Sequence, residues 1–489
     1  MLDALTALMD RGGGHATYAE ARFVREELET LIVRDGRIED VSHDTSEGVG
    51  VRVRAGGGWG FAATRDTTAA GLDAALVQAL AIAAAQPAGA GTPRTGPDPD
   101  GPAAGHWSAT AEIDPFALAL ETKLDELLAA EAALRAGGDA RLASTSATTR
   151  SRRVVQAFAS TEGAACTQER VECGGGIEAL AIDGSEAQTR TYPTSHGGSM
   201  ALAGWEQVRA LDLEGNAPRV AAEAIELLSA PLCPALTTTV VLHGEQLALQ
   251  IHESIGHALE LDRILLAEAS YAGTSWVTAA DLHPSRPGGP LRYGSEHLSI
   301  TADATLPGGL GSFGWDDEGS AARRTPLIVG GELREALSDR ESAAMIGRTT
   351  SGACARADGF ARQPIVRMTN VSIEPGTAGS LADLIADTDD GLYLESNRSW
   401  SIDDRRLQFQ FATEVAREIR GGELGLLHRN PVYAGVTPRF WGGLDAVCGP
   451  DAWALWGLTN CGKGEPGQVM AVSHGAAPAR FRSVAVRPA

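Results

Sequence analysis

Hydrophobic and polar residues alternate along the first part of the chain in the manner of strands. Alternating runs at 28–33, 37–41 and 49–55 predict neighbouring strands, and 59–64 continues the series. Between the first two runs, Arg34-Asp35-Gly36 supplies an Asp-Gly pair, which is a strong signal for a tight hairpin turn. The pattern therefore predicts an antiparallel meander.

Helical spacing marks other stretches. Leu2, Leu5 and Leu8 recur every three residues and predict a helix at 2–10. Further helices are predicted at 67–86, from Asp114-Pro115 to about 136, and at 216–230. Further strands are predicted between 140 and 209 and at 237–242, 298–304, 365–373, 407–420 and 469–472. Because these elements mix without a regular βαβ alternation, the predicted fold class is α+β with mixed or antiparallel sheets.

Prolines indicate where the chain divides. Pro231 and Pro234 follow the helix predicted at 216–230, so we predict a domain boundary there. The first domain is an α+β domain at 1–230, with a flexible Pro- and Gly-rich connection near 88–105. The second domain, 231–489, begins with the strand at 237–242 and a long helix at 243–266, which carries the most distinctive motif of the chain.

That motif is His252-Glu253-Ser254-Ile255-Gly256-His257. Neutral imidazole nitrogens suit zinc, and a carboxylate beside the first histidine can activate a metal-bound water. The histidines are five residues apart, which leaves them about 140° apart around a regular helix. Both can reach one ion if a one-residue π-bulge widens the helix, and Gly256 sits where that distortion is needed. The alternative is a helix with two ordinary core or solvated histidines.

Composition and charge narrow the classes of function. The chain has 489 residues, of which 43% are hydrophobic, an ordinary composition for a globular protein. Its 63 acidic and 41 basic residues give a net charge of −22, which repels phosphate backbones and argues against nucleic-acid binding. The densest basic run, 150–153, is typical of a solvated strand edge.

Cysteine use and apolar runs predict the location. The 6 cysteines are scattered without a CxxC pair, which suits a reducing compartment. The first 14 residues lack the apolar run of a signal peptide, and no stretch approaches the length of a membrane span. We therefore expect a cytoplasmic protein without a membrane partner.

A catalytic zinc usually has three protein ligands, so a third is needed besides His252 and His257. Glu260 is one candidate. Cys461 is another, because the glycine beside it lets a thiolate approach an ion and Lys463 would favour its deprotonation. A buried cysteine without any ligand role is the alternative. Spacing alone leaves these possibilities open.

Five stretches in one order resemble the TldD/PmbA metallopeptidase family, specifically its motif-bearing TldD-like subunit. They are 252–257, Tyr271-Ala272-Gly273-Thr274-Ser275, Trp315-Asp316-Asp317-Glu318-Gly319, Pro364-Ile365-Val366-Arg367-Met368-Thr369-Asn370 and Asn460-Cys461-Gly462-Lys463. The resemblance covers nearly the whole chain and is strongest from Val240 onward. It implies a two-domain α+β fold with a metal-binding motif helix.

The same resemblance implies a zinc ion held by His252, His257 and Cys461, with Glu253 as the general base. The implied substrates are short or unfolded peptides, gripped as extended strands during leader-peptide processing or the degradation of unstable proteins. The implied assembly is a heterodimer with a PmbA/TldE-like partner that lacks the metal motif. Glu260 then becomes a support for the ligands or a surface charge.

Four more residues are candidates for supporting the ligands or contacting the substrate. Asp316, Asp317 and Glu318 could bind a hard cation, although the spacing of a calcium loop is absent, and a solvated acidic turn is the alternative. His474 follows Cys461 closely enough in sequence to approach the site, and a structural histidine is the alternative.

Two other functions stay open. A site with two histidines and a cysteine can hold iron or another metal, so the enzyme could modify a peptide or small molecule without hydrolysing it. The older gyrase-modulator label of the family suggests a regulatory or binding module instead. A complete ligand set with Glu253 beside it counts against that third possibility.

Overall fold

The computed structural model describes residues 1–12, 14–86, 94–96, 98–99, 101–109, 111–195, 197–464 and 466–489. Within these ranges, helices alternate irregularly with strands that form several sheets, which confirms the predicted α+β class. No helix in these ranges is long and apolar enough to cross a membrane. All six cysteines lie in the same ranges, and each is free and buried.

The first half of the chain forms an eight-stranded sheet built on long hairpins. Its strands are β1 (Tyr18–Arg34), β2 (Arg37–Ala55), β3 (Gly58–Thr64), β4 (Ala104–Ala109), β5 (Leu142–Ser160), β6 (Ala165–Asp183), β7 (Glu186–Tyr192) and β8 (Ser199–Ala201). Their order is β3-β2-β1-β5-β6-β4, and β7 and β8 pair with β6. Asp35 and Gly36 join β1 to β2 with φ values of 49° and 75°, which confirms the predicted Asp-Gly hairpin.

Strand β1 is much longer than the run predicted at 28–33. Its first part is buried on both faces, and it includes Glu20 and Arg22, which are 3% and 5% exposed. Arg52 pairs with Glu20 at 2.7 Å and satisfies that buried charge. Because charged residues occupy buried positions, the alternation of hydrophobic and polar residues does not reveal this part of the strand.

The basic run 150–153 lies in β5, which pairs with β1 on one side and β6 on the other. Arg152 forms ion pairs with Glu26 and Glu172, which stand on those two neighbouring strands. Burial lowers the pKa of Arg150 from its ordinary value. The prediction of a solvated edge was therefore wrong, because the acidic partners come from strands distant in sequence.

Five helices cover this sheet and form two cores along the same long strands. They are α1 (Leu2–Gly12), α2 (Ala69–Ala84), α3 (Leu120–Arg135), α4 (Trp205–Ala210) and α5 (Leu213–Ser229). Helices α1 and α2 pack on the first part of β1, and α3 and α5 pack on its end. The helix predicted from 114 begins only at Leu120, because Asp114 opens a separate turn whose carbonyl accepts the Leu118 N–H at 3.1 Å. The connection predicted near 88–105 lies partly outside the described residues, and β4 occupies its end.

The second half is organised around a closed barrel. Its strands are β9 (Leu236–Leu242), β16 (Asp390–Ile402), β17 (Gln408–Arg420), β18 (Glu423–His428), β19 (Pro431–Val436), β20 (Leu444–Val447) and β23 (Ala479–Pro488). The order β16-β9-β23-β19-β17 closes because β17 also pairs with β16, while β18 and β20 attach outside the circle. Val240, Val241 and Leu242 are fully buried in β9, which leads directly into the motif helix.

Shorter elements surround the barrel. They are β10 (Ile300–Asp303), β11 (Arg324–Val329), β12 (Glu332–Leu333), β13 (Ala355–Arg356), β14 (Ile365–Val366), β15 (Val371–Ile373), β21 (Ala454–Lys463), β22 (Gln468–Ala476), α8 (Arg340–Met345), α9 (Leu381–Ala386) and α10 (Thr437–Gly442). The single strand predicted at 365–373 is in fact β14 and β15, which pair with different strands, β13 and β10. The domain boundary near 230 stays a prediction.

Candidate metal centre

The motif helix widens between the two histidines, where their spacing requires it. Helix α6 (Gly244–Ile251) passes into a π-helical turn at His252–Gly256 and then a 3₁₀ turn at His257–Leu259. The backbone N–H of His257 donates to the carbonyl of His252. This confirms the predicted departure from regular α geometry, which brings both imidazoles to one side.

Gly256 is required for space rather than for an unusual backbone. Its φ of −52° and ψ of −64° are helical. A Cβ at this position would lie 2.0 Å from the sulfur of Met368, which is fully buried. The widened turn can therefore lie against Met368 only because residue 256 has no side chain.

Hydroxyl groups satisfy carbonyls near the distorted turn. Tyr293 donates its hydroxyl to the Ser254 carbonyl at 2.5 Å, and Ser275 donates to the Ala258 carbonyl at 2.7 Å. The continuous helix predicted at 243–266 is wrong beyond this point, because Glu260 has an extended ψ of 118°. A short helix, α7 (Leu261–Ile264), follows this break.

Three potential ligands converge below the turn. One ligand atom each from His252, His257 and Cys461 lies within 4.8 Å of the other two, and all three residues are buried. Cys461 stands on β21, which forms a two-stranded sheet with β22, and its Sγ lies 3.6 Å from His257 Nε2. The structure thus brings together the predicted set, while Glu260 takes a different position.

His474 orients the first histidine. Its Nδ1 lies 2.7 Å from the Val371 carbonyl, which can only accept, so Nδ1 carries the proton and Nε2 accepts. That Nε2 lies 2.8 Å from His252 Nδ1, which must then donate. His252 therefore keeps an unprotonated Nε2. Burial lowers the pKa of His252 to about 4 and keeps the ring neutral near pH 7.

Glu260 orients the second histidine in the same way. Its Oε2 accepts from His257 Nδ1 at 2.9 Å, which leaves His257 Nε2 for an ion. Although burial would raise the pKa of Glu260, the ammonium of Lys463 and the ring of His257 hold it well below its usual range. Glu260 is therefore a carboxylate that orients His257, and it is fully buried rather than a surface charge.

Lys463 does not act on the cysteine as the sequence suggested. Its ammonium donates to Asp262 at 2.7 Å and to the Val366 carbonyl at 2.6 Å, and it lies 3.3 Å from Glu260. Although burial would raise the pKa of the Cys461 thiol, His257 and Arg367 lower it below its usual value. Arg367, which donates to the Cys461 carbonyl at 2.5 Å, takes the part that was expected of Lys463.

Glu253 projects into a cavity of about 330 Å³ that is also lined by His252, His257 and Cys461. Trp400 Nε1 donates to its Oε1 at 3.0 Å, and Arg406 Nη1 donates to its Oε2. Although burial would raise the pKa of Glu253, Arg406 and the two histidines lower it. Sequence reasoning missed Trp400 and Arg406, which lie far along the chain in no motif.

The acidic stretch 316–318 lies at the contact between the first sheet and the loops of the second half. Asp316 accepts the backbone N–H groups of Ser320 and Ala355, and Glu318 accepts from Arg52 at 2.6 Å. Asp317 accepts the side-chain amide of Gln156 and the N–H of Ala357. The bonds of Asp317 and Glu318 join the two halves, whereas those of Asp316 stay within the second half. None of the three acids lines the cavity, and all three are buried rather than part of a solvated turn.

Comparison with known protein families decides the identity of this architecture. The PmbA/TldA metallopeptidase C-terminal domain matches residues 236–486, domain 1 matches 19–83 and the central domain matches 113–232. The chain belongs to the PmbA/TldD metallopeptidase family. This membership confirms the resemblance to the family and the assignment to the metallopeptidases, while the likeness to its TldD-like subunit stays a prediction.

Curated relatives agree with this family. A "Metalloprotease" from Methanothermobacter thermautotrophicus is 27% identical over 469 residues, 96% of this chain and 95% of the relative. A "Metalloprotease TldD homolog" from Haemophilus influenzae is 26% identical over 83% of this chain and 80% of its own. A "Zinc metalloprotease TldD homolog" from Saccharolobus solfataricus is 29% identical over 40% of this chain and 41% of its own.

Solved structures share the fold. TldE from Thermococcus kodakarensis superposes with a TM-score of 0.74 at 15% identity, over 99% of this chain and 100% of that one. A putative modulator of a DNA gyrase from Thermotoga maritima gives a TM-score of 0.74 at 16% identity, over 99% and 98% of the two chains. At 15% and 16% identity, these similarities concern the fold alone.

The residues present fit the metal that the name metallopeptidase implies. Two imidazoles are oriented through Nδ1, so each offers Nε2, and the third donor is a sulfur whose thiol has a lowered pKa. Histidine nitrogen and cysteine sulfur are donors that zinc accepts, and a catalytic zinc has three protein ligands and a further position open. The described residues therefore supply a donor set and the partners that hold it.

Proposed function

We propose that this chain is a zinc peptidase, with His252, His257 and Cys461 as the zinc ligands and Glu253 as the general base. The observation that carries the proposal is the convergence of three buried ligand atoms within 4.8 Å beside the Glu253 carboxylate. A bound zinc ion would act as a Lewis acid and bring the pKa of water close to 7. The chain itself supplies the base, the ligand orientation and a cavity of about 330 Å³.

Each residue has a distinct task. Glu253 takes the proton of the attacking water, and Trp400 and Arg406 hold its carboxylate at the cavity wall. His474 and Glu260 fix the two imidazoles through Nδ1, so that neither ring can rotate away from the ion. The acidic residues 316–318 stabilise the contact between the two halves and take no part in the chemistry.

We propose short or unfolded peptides as substrates, as in leader-peptide processing or the degradation of unstable proteins. The cavity lies between residues 400–402 of β16 and 460–462 of β21, so strand backbone flanks it on two sides. An extended peptide can pair with strand backbone through its main chain, which tolerates many side chains but excludes folded proteins.

We propose that the chain works in the cytoplasm as the catalytic half of a heterodimer. The partner would be a TldE-like chain without the metal motif. Support comes from TldE of Thermococcus kodakarensis, which shares the fold over the whole length.

The test is to co-express the chain with such a partner, measure zinc by elemental analysis and incubate the complex with reduced, unfolded casein and with folded controls. We expect about one zinc per chain, as one set of three ligands implies. We also expect fragments whose masses sum to the substrate plus one water, and loss of cleavage after chelation. A modified but uncleaved product would favour a non-hydrolytic metalloenzyme instead. A complex with neither zinc nor any reaction would favour a binding module.

A further inference from the structure

The proposed base is held by a residue that the peptidase scheme does not explain. Arg406 Nη1 donates to Glu253 Oε2, and the two side chains are 17% and 8% exposed. The ion pair lies in the wall of the cavity that His252, His257 and Cys461 also line, so the guanidinium stands beside the place of reaction as well as beside Glu253.

The backbone presents Arg406 in a fixed and uncommon conformation. It lies in the turn 403–407 between β16 and β17, and its φ is +58°, a left-handed value that is rare for a residue with a side chain. Such residues persist where their surroundings hold them, and they cluster at functional sites. The surrounding structure therefore holds the Arg406 backbone in this conformation, and that conformation fixes where its side chain begins.

Hydrogen bonds from other segments hold the backbone of this turn. The Thr274 N–H donates to the Asp404 carbonyl at 2.9 Å, the Trp276 N–H donates to the Arg405 carbonyl at 2.8 Å, and Thr437 Oγ1 donates to the Arg406 carbonyl at 2.8 Å. The Tyr271-Ala272-Gly273-Thr274-Ser275 stretch thus contacts the turn that carries Arg406 through Thr274, although none of its residues lines the cavity. The backbone that carries the guanidinium is therefore fixed from outside the turn.

The guanidinium also lies close to the ligands. Arg406 lines the same cavity as His252, His257 and Cys461. One Nη group holds Glu253, while an arginine offers five N–H donors in all. The Arg406 guanidinium therefore has further N–H donors beside the place where a substrate carbonyl would react.

We propose that Arg406 is a catalytic residue whose guanidinium stabilises the oxyanion formed from the peptide carbonyl. The inference rests on the proposed peptidase function. In the step, the water oxygen forms a bond to the carbonyl carbon, a water proton goes to Glu253, and the π electron pair of the C=O bond moves onto its oxygen. One negative charge thus leaves Glu253 and appears on the substrate oxygen.

Arg406 suits this transfer because it can pair with the negative charge both before the step, on Glu253, and after it, on the substrate oxygen. Before the step it pairs with the Glu253 carboxylate, and afterwards the neutral acid no longer needs the pair. The guanidinium can then interact more strongly with the new oxyanion at little cost in reorganisation. The interaction is made mainly in the transition state, so it should raise kcat more than it improves substrate binding.

The experiment compares Arg406→Gln and Arg406→Lys with Arg405→Gln in the complex with the partner subunit. Arg405 is exposed and stands on the same turn, so its change removes the same charge without touching the cavity. The substrate is a peptide that wild type cleaves, selected from a random-sequence library. The readouts are kcat, KM, zinc content and the calorimetric affinity for the phosphonamidate analogue of that peptide, which mimics the tetrahedral state.

We expect Arg406→Gln to lose about 10² to 10³ in kcat, as removal of an oxyanion donor does. KM and zinc content should stay close to wild type, and the affinity for the phosphonamidate should fall by a similar factor. Arg406→Lys should recover part of both losses, and Arg405→Gln should change neither.

Equal kcat in Arg406→Gln would overturn the inference. A loss of kcat with unchanged phosphonamidate affinity would also overturn it and would leave only a role in placing Glu253. Both results would leave the peptidase proposal intact. If wild type cleaves no peptide in the library, the proposed function fails, and this inference fails with it.

Discussion

The backbone N–H of His257 donates to the carbonyl of His252, five residues earlier, instead of to that of Glu253. This irregular bonding gives the turn one extra residue and brings both imidazoles to the side that faces Cys461. The proposed metal centre therefore depends on a backbone distortion, and the packing around that distortion should be as sensitive as the ligands.

Gly256→Ala tests this dependence. The new Cβ would meet the sulfur of Met368, and overpacking of this kind costs about 1 to 3 kcal/mol. We expect a lower free energy of unfolding in denaturant and weaker zinc retention during dialysis against a chelator. Gly442→Ala is the matched control, because Gly442 is also helical and its Cβ would meet no atom of the described residues within 4 Å. Equal stability and zinc retention in the two variants would contradict the packing account.

His474→Ala tests the orientation of the first ligand. Without its Nε2 acceptor, His252 loses the partner that fixes its ring and tautomer. Loss of such a partner typically costs about 10- to 100-fold in metal affinity. Competition with a chromogenic zinc chelator measures the loss, and His474→Gln, which keeps an acceptor oxygen, should lose less. If His474→Ala binds zinc as tightly as wild type, His474 is an ordinary structural histidine.

The two ligand supports show how far the sequence reaches. Glu260 and His474 could be named as candidates because they lie near a ligand in sequence, but their partners could not be assigned. Their hydrogen bonds depend on the break at Glu260 and on the position of Val371, and both are tertiary features. That His252, His257 and Cys461 are the ligands and Glu253 the base stays a prediction.

Trp400 and Arg406 could not be predicted at all. They reach Glu253 because the turn between β16 and β17 is pinned to distant segments, and a single sequence carries no signal of that contact. The same limit applies to Asp316 and Glu318, whose buried partners lie in other elements. Local features, such as the Asp35-Gly36 hairpin, were predictable because they depend on neighbours in sequence.

Lys463→Met tests the buried charges below the site. The Lys463 side chain is fully buried between Glu260 and Asp262, so its loss leaves Asp262 without its cation and leaves Glu260 with Arg263 alone. Removing one partner of such a buried pair typically costs about 3 to 5 kcal/mol. Denaturant unfolding should show a large loss, whereas Arg420→Met, which breaks an exposed pair with Asp390, should show no measurable loss. A mild effect of Lys463→Met would mean that the carboxylates are stabilised in another way.

Glu245 gives a prediction for pH. Burial, together with Glu395 and Glu414, raises its pKa from 4.5 to about 8. The folded state therefore holds a proton that the unfolded state releases, and this group's contribution to stability falls as pH rises from about 4.5 to 8. Since one pKa unit corresponds to about 1.4 kcal/mol, we expect Glu245→Gln to gain on the order of 3 to 4 kcal/mol relative to wild type between pH 5 and pH 8.

Denaturant unfolding at several pH values measures this difference. Glu423→Gln, which changes an exposed glutamate on β18, is the control and should follow wild type. A constant difference between Glu245→Gln and wild type over the whole range would show that Glu245 is already charged in the folded protein at low pH.

The cleavage rate of Glu253→Gln, measured with its zinc content in the complex with the partner subunit, tests the central claim most directly. Glutamine keeps the size of the side chain and one of the two oxygens that accept from Trp400 and Arg406, but it cannot take the proton, and loss of a general base typically costs about 10² to 10⁴ in rate. We predict normal zinc content, retained peptide binding and cleavage slower by at least about a hundredfold. Cleavage at the wild-type rate would contradict Glu253 as the base, and loss of zinc would show that Glu253 holds the metal centre together instead.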